Sequence, residues 1–142
     1  MDTAPHYLFF TDKDVEDGNT RLKVYPPIRN SSNCNLMWDC LKMNIIDCIA
    51  SQHEPIHKSM KFLEELSFKK ALSGITNAGF SLQAIWSRLK QPLAVRSRTY
   101  NHYIVRLAKW MSDTPSKILG IDNMRGSIEA GKIADLVVWD PE

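Results

Sequence analysis

The sequence predicts an α/β fold, and three observations predict it. Strand-type and helix-type segments follow one another along the chain in the order strand, helix, strand, helices, late strand. Apolar residues recur at helical spacing in several stretches but run almost continuously over residues 45–50 and 134–139, as in strands buried on both faces. Hydrophobic residues make up 44% and charged residues 24% of the 142, enough apolar surface for a packed core.

Taken in order, residues 6–10 are aromatic-rich, bounded by Pro5 and by a polar run from Thr11, and predict an extended segment. A strand so early in the chain implies a preceding partner that covers it. Asp17-Gly18-Asn19 is a turn signal. Residues 21–25 place Leu22 and Val24 in alternation and predict a short strand. Pro26-Pro27 stops it, because proline cannot donate to a ladder. Ser31, Ser32 and Asn33 are candidate caps for a helix whose apolar positions are Leu36, Met37, Cys40 and Leu41, with Asn44 continuing the spacing. Residues 45–50 predict a buried strand, with the polar tract 51–55 at its C-terminal end.

Residues 58–72 predict a helix, with Phe62, Leu63, Leu66 and Lys70 on one face and Glu64-Glu65 set to pair with Lys69-Lys70. Ser73-Gly74 breaks it. A second helix over 81–89 carries Leu82, Ile85, Trp86 and Leu89, and Pro92 ends that segment. The clearest helix covers 99–111: Tyr100, Tyr103, Ile104, Leu107, Ala108 and Met111 form its stripe, with Arg106 and Lys109 facing away. Thr114-Pro115 reads as a cap followed by proline at the first helical position, and Gly120 closes that short helix. Gly126 and Gly131 frame two turns, and residues 134–139 predict a strand ending at Asp140-Pro141.

Charge excludes some functions. A formal net charge of +2 gives no field for nucleic acid or an anionic membrane. Arg88, Lys90, Arg96, Arg98 and Arg106 with Trp86, Tyr100, Tyr103 and Trp110 resemble a nucleic-acid patch in composition, but helical spacing sends the aromatics inward. No apolar run is long enough to span a bilayer, and residues 1–6 show no secretory leader. Cys34, Cys40 and Cys48 are odd in number with no C-x-x-C pair, which favours free thiols and an intracellular, cytoplasmic setting.

Four segments carry a resemblance. Residues 5–8 read P-H-Y-L, and residues 23–29 read K-V-Y-P-P-I-R. Residues 46–55 read I-D-C-I-A-S-Q-H-E-P, and residues 126–141 read G-S-I-E-A-G-K-I-A-D-L-V-V-W-D-P. In this order and spacing they resemble the allantoinase, hydantoinase and dihydroorotase branch of the amidohydrolases. P-P-I-R and the run F-K-K-A-L-S-G-I over 68–75 are closest to the allantoinase pattern. The resemblance implies a partial (β/α)8 TIM-type barrel, its last strands and helices, plus a return strand of a small β domain. Residues 1–120 would be barrel and residues 121–142 the start of the return. A whole barrel needs roughly 250 residues, so this length cannot close one.

The resemblance also implies a chemistry: hydrolysis of a cyclic amide such as that of allantoin, with two zinc ions activating a water. The family's ligands are an H-x-H pair, a carboxylated lysine, two histidines and a last-strand aspartate. Only the last falls within this chain, and Gln52 stands there. A neutral amide cannot take up a proton, and a general base contributes about 10²–10⁴-fold to rate. Glu54, two residues further on, sits too far along to replace it. No H-x-H occurs among His6, His53, His57 and His102. His53-x-x-x-His57 has helical metal spacing, but Pro55 interrupts it. His6 matches a family histidine that is not a ligand, and reads as structural. Tyr25, Ser73 and Gly74 match substrate-facing loops, with Tyr25 larger than the family residue and Asn77 and Gly79 departing from its pattern. The expectation is therefore no catalytic residue, no metal site and no cofactor in this chain, and a truncated hydrolase inactive alone. The alternative is a non-catalytic pseudoenzyme that associates with an intact amidohydrolase subunit or with copies of itself.

Overall fold

The computed structural model describes residues 1–90 and 98–141. Pro92 and Arg96 lie outside the described residues, as do the side chains of Arg98 and Tyr100. Two short strands, β1 (Asp2–Thr3) and β2 (Cys48–Ile49), pair in parallel with Asp2 opposite Cys48 and Thr3 opposite Ile49. The ladder is extended by Asp47 N–H to the Met1 carbonyl and Ala50 N–H to the Thr3 carbonyl, both 2.8 Å. Helices α1 (Pro5–Phe9), α2 (Ser31–Lys42), α3 (Ser81–Lys90), α4 (Arg98–Ala108) and α5 (Thr114–Ile118) complete an α/β arrangement.

The segment read as a strand at residues 6–10 is helix α1. Proline fits the first turn of a helix, where its missing N–H leaves nothing unpaired, and Ala4 ahead of it is extended. The strand lies earlier, at Asp2–Thr3. Leu8 is fully buried, and its carbonyl accepts from the Trp38 indole at 3.0 Å and the Cys34 thiol at 3.4 Å. That stitches α1 to α2. Helix α2 is capped not by Ser31, Ser32 or Asn33 but by Asn30, whose side chain accepts from the Asn33 N–H at 3.0 Å. Its buried face is Cys34, Trp38 and Leu41, while Leu36 is exposed.

Two further segments depart from the sequence reading. Residues 21–25 form no strand: a tight 3-10 turn at Thr20–Leu22 leads into the loop, with Val24 alone buried. Residues 58–72 form no helix beyond the 3-10 turn Lys58–Lys61. Phe62 and Leu66 adopt left-handed backbone (φ 47° and 52°), which ends helical propagation. The expected i,i+4 pairing gives way to a Lys70–Glu65 ion pair at 2.6 Å. Lys61 has turned inward, and the loop folds around it.

Helix α3 holds the predicted face, with Ile85, Trp86 and Leu89 buried. Helices α4 and α5 form one continuous path. Between them lies a wide π-type turn, Lys109–Asp113, so Thr114 is helical (φ −67°) and caps nothing. Arg106 does not face away: its guanidinium donates to the Lys42 carbonyl at 3.0 Å and lies 5.8 Å from the Trp110 ring centroid. Gly120 ends the path at φ +68°. One core joins Leu8, Trp38, Leu41, Ile49, Ile85 and Trp110, with Tyr103, Ile104 and Met111 packed against it. Cys34, Cys40 and Cys48 are free thiols, the first and last buried.

Beyond α5 the chain turns at Gly126 and Gly131, both at φ +92°. Residues 134–139 form no strand. Leu136, Val137 and Val138 stand out, Val138 being 99% exposed, because the apolar run meets no partner strand among the described residues. Trp139 returns to the body, edge-on to Trp86 at 5.3 Å, and the Trp86 indole donates to the Pro141 carbonyl at 2.9 Å. No helix among the described residues is long and apolar enough to cross a membrane.

Candidate functional site

The C-terminal ends of β1 and β2 deliver the chain to the same place. β1 leads through Ala4 into His6 and Tyr7, and β2 through Ala50 and Ser51 into Gln52 and His53. Gln52 sits in left-handed backbone (φ 45°) and donates from Nε2 to the Tyr25 carbonyl at 3.1 Å. Gln52 and Tyr25, singled out separately in the sequence, are thus brought together, through the Tyr25 backbone rather than its ring; Tyr25 is 68% exposed. Tyr7 fixes the same loop, its hydroxyl donating to the Pro26 carbonyl at 2.9 Å. Burial pushes the Tyr7 phenol above its ordinary range, against a downward pull from Gln52.

His53 is an organiser of backbone. It bridges in parallel to Ile75, and its Nδ1 accepts both the Asn77 and the Ala78 N–H at 3.1 Å. Asn77 in turn places its side-chain amide nitrogen 3.1 Å from His6 Nδ1. His6 is buried, and that burial pushes its imidazole down to about 4, with a smaller upward pull from Gln52. His6 Nε2 and Asn77 Oδ1 are buried with no hydrogen-bond partner.

Gly74 is held at both ends. Its N–H donates to the Lys23 carbonyl at 3.0 Å, and its carbonyl accepts from Lys61 Nζ at 2.5 Å. Its φ of +135° suits glycine, and a Cβ there would stand 2.8 Å from both the Glu54 carbonyl and Ile56 Cγ1. Ser73 beside it is half-buried. Two lysines clip these loops from within. Lys61 Nζ also reaches the Lys23 carbonyl at 3.2 Å, while Lys23 Nζ donates to the Phe68 and Ala71 carbonyls at 2.5 Å each. Burial lowers the Lys61 ammonium below its usual range, Glu54 opposing and Lys23 reinforcing the shift.

Sequence reasoning missed Lys23, Lys61 and the His53–Asn77–His6 chain as organisers, because these contacts join residues far apart in the chain. The donor set does not fit a metal pair. Gln52 offers a neutral amide already engaged with a carbonyl, and His53 Nδ1 is taken by two N–H groups. His57 Nδ1 lies 2.8 Å from the Ser59 hydroxyl, away from the His53 contacts. No three His, Cys, Asp or Glu side chains converge among the described residues.

The profile of the amidohydrolase family matches residues 18–142. The chain is 37% identical over all 142 residues to an allantoinase from Arabidopsis thaliana, of which it covers 26%. It is 34% identical over 142 residues to an allantoinase from Streptomyces avermitilis, covering 29% of that protein. It is also 35% identical over 141 residues to a dihydroorotase from Geobacter metallireducens, covering 99% of this chain and 30% of that one. Among solved structures it is similar to the L-hydantoinase (dihydropyrimidinase) from Arthrobacter aurescens, with a TM-score of 0.76 and 27% identity over 94% of this chain and 28% of that one. The chain thus spans less than a third of the length of each of these relatives.

Proposed function

This chain belongs to the amidohydrolase family, and from that premise we propose that it derives from an allantoinase-type hydrolase and does not itself hydrolyse a cyclic amide. The observation that carries the reading is the Gln52 amide bonded to the Tyr25 carbonyl. An aspartate there would present a carboxylate oxygen to a carbonyl oxygen, two acceptors with no proton between them. Glutamine satisfies the loop and forgoes the base. In the parent chemistry a metal pair would supply an activated water. Here the residues beyond β2 orient loops instead: Gln52 holds Tyr25 and His53 holds Asn77 and Ala78, while Lys61, from the turn Lys58–Lys61, holds Gly74. In this reading, residues 1–120 correspond to late barrel elements and residues 121–142 to the start of the small β domain.

The test is zinc content by mass spectrometry together with allantoin ring opening by the purified chain. We expect substoichiometric zinc and no turnover. Zinc-dependent turnover would overturn the reading. Intact mass of the polypeptide in its own cells separates a product near 16.3 kDa from a longer protein that carries further ligands.

The exposed run at Leu136, Val137 and Val138 favours a second reading, a non-catalytic chain that docks on an intact amidohydrolase subunit or on another copy of itself. Unpaired apolar segments of this kind favour association. Sedimentation of the chain and its Val138→Lys variant checks this: association weakened by the substitution supports it, and a monomer in both cases counts against it.

A further inference from the structure

A cavity of about 590 Å³ opens between α1, α3 and the loop 56–63, within the size range of small-molecule sites. Phe9, Phe10, Ile56, Leu63 and Phe80 give it apolar walls; neither Gln52 nor Tyr25 borders it. Phe80 is 68% and Phe9 37% exposed, so part of this apolar surface stays in contact with water. Covering such surface is favourable in proportion to its area. The unpartnered atoms His6 Nε2 and Asn77 Oδ1 are buried and take no part.

The charges around the cavity are of one sign. Arg21, Lys58 and Lys61 border it, and no Asp or Glu does. Glu54, whose charge acts on Lys61, is not part of its wall. Lys61 is buried, its ammonium engaged with the Lys23 and Gly74 carbonyls. Arg21 and Lys58 are exposed, and neither side chain has an ion pair or hydrogen bond among the described residues. Unpaired cations beside apolar walls complement an occupant that is apolar along its body and anionic at one end. A wholly apolar molecule would leave the cations unmatched, and a small hydrophilic anion would leave the walls wet.

We propose that this cavity binds a single-chain aliphatic carboxylate, its alkyl chain along the phenylalanine walls and its head at Arg21 and Lys58. Exposed ion pairs are individually weak, so the chain supplies most of the affinity and the two cations supply the preference for an anion. The site does not depend on the hydrolase reading, because it needs no metal and no general base and uses neither Gln52 nor Tyr25.

The test titrates the full chain, labelled with nitrogen-15, with octanoate, octanol and acetate, all below micelle formation, and with phosphatidylglycerol vesicles. We expect octanoate to bind saturably and to shift the backbone amides of Phe9, Leu63 and Phe80, while those of Val137 and Val138 stay still. At low salt it should bind about tenfold more tightly than octanol, a gap that narrows as salt screens the exposed charges. Acetate should not saturate, and shortening octanoate to hexanoate should weaken binding about tenfold. Arg21→Gln combined with Lys58→Gln should bring octanoate to the affinity of octanol and leave octanol unchanged, which also shows that the variant is folded. Ala84→Leu, which adds bulk to the cavity wall and leaves both cations in place, should weaken octanoate and octanol together. Equal binding of octanoate and octanol would leave only an apolar void, and an octanoate affinity unmoved by the double substitution would remove the cations from the site. Shifts confined to Val137 and Val138 would place the ligand on the exposed apolar run. Binding to the vesicles without saturable octanoate binding would mark a lipid surface site instead. Each of these would overturn the proposal.

Discussion

His6 makes the stability of this chain depend on pH in a way that can be worked out in advance. Its ordinary value of 6.5 falls to about 4 in the folded protein, with burial as the main cause. The folded value is the lower one, so between about 4 and 6.5 the unfolded chain binds more protons. Stability therefore rises with pH across that window. It is complete above 6.5, is lost as pH falls, and levels off below about 4. Going from about pH 7.5 to about pH 5, the linkage integral gives a loss of roughly 2 kcal/mol from this one residue. That is a large share of the 5–15 kcal/mol typical of a folded domain. Urea unfolding at the two pH values, on the chain and on His6→Gln, isolates the contribution. His53, His57 and His102 remain in both proteins and cancel in the difference. The variant should lose roughly 2 kcal/mol less than the parent. Parallel losses, or a His6 ring that titrates near its ordinary value by NMR, would refute the reasoning.

Two further predictions follow from backbone and burial. Gly126→Ala should cost roughly 2–3 kcal/mol, because its φ is +92° and a Cβ would collide with the Ser116 hydroxyl on α5. Gly131→Ala has the same φ with nothing within 4 Å of the new carbon, so it should cost only about 1 kcal/mol. Thermal melts of both check this, and equal losses would show that the Ser116 contact is not felt. Lys61→Met keeps the buried stem but removes the amine from the Lys23 and Gly74 carbonyls. It should cost about 1–3 kcal/mol and speed amide exchange at residues 74–77 while leaving α4 unchanged. Unaltered exchange at Gly74 would refute the clip.

What was legible in the sequence divides along a physical line. Helices α3 and α4 announce themselves because repeated burial on one face imposes a 3.6-residue period. Strand β2 shows as a continuous apolar run, though its paired strand residues are Cys48 and Ile49 alone. Helix α1 was hidden because five residues cannot establish a period, and Pro5 reads equally as a boundary or a first turn. Lys61 belongs by type to a solvent-facing helix, and nothing local reveals that distant carbonyls have drawn it inside. Strand formation at residues 134–139 needs a partner as well as β-branched residues, and none lies there among the described residues. At the site, Gln52 was legible through resemblance. The Asn77–His6 contact was not, since 71 positions separate its partners.

The wide turn Lys109–Asp113 holds an extra residue in an otherwise helical path from α4 to α5. A turn of this width absorbs that residue, so the helix resumes beyond it in nearly the phase of a regular α-helix one residue shorter. Losing one amino acid here should therefore regularise the path and leave α5 facing as it does now, with Ser116 still buried against the Gly126 turn and Trp110 still seated in the core. A single-codon deletion at this point would act as a local straightening and not as a rotation of the C-terminal segment. Homologous sequences that lack the extra residue should show no compensating change at the counterparts of Ser116 and Gly126.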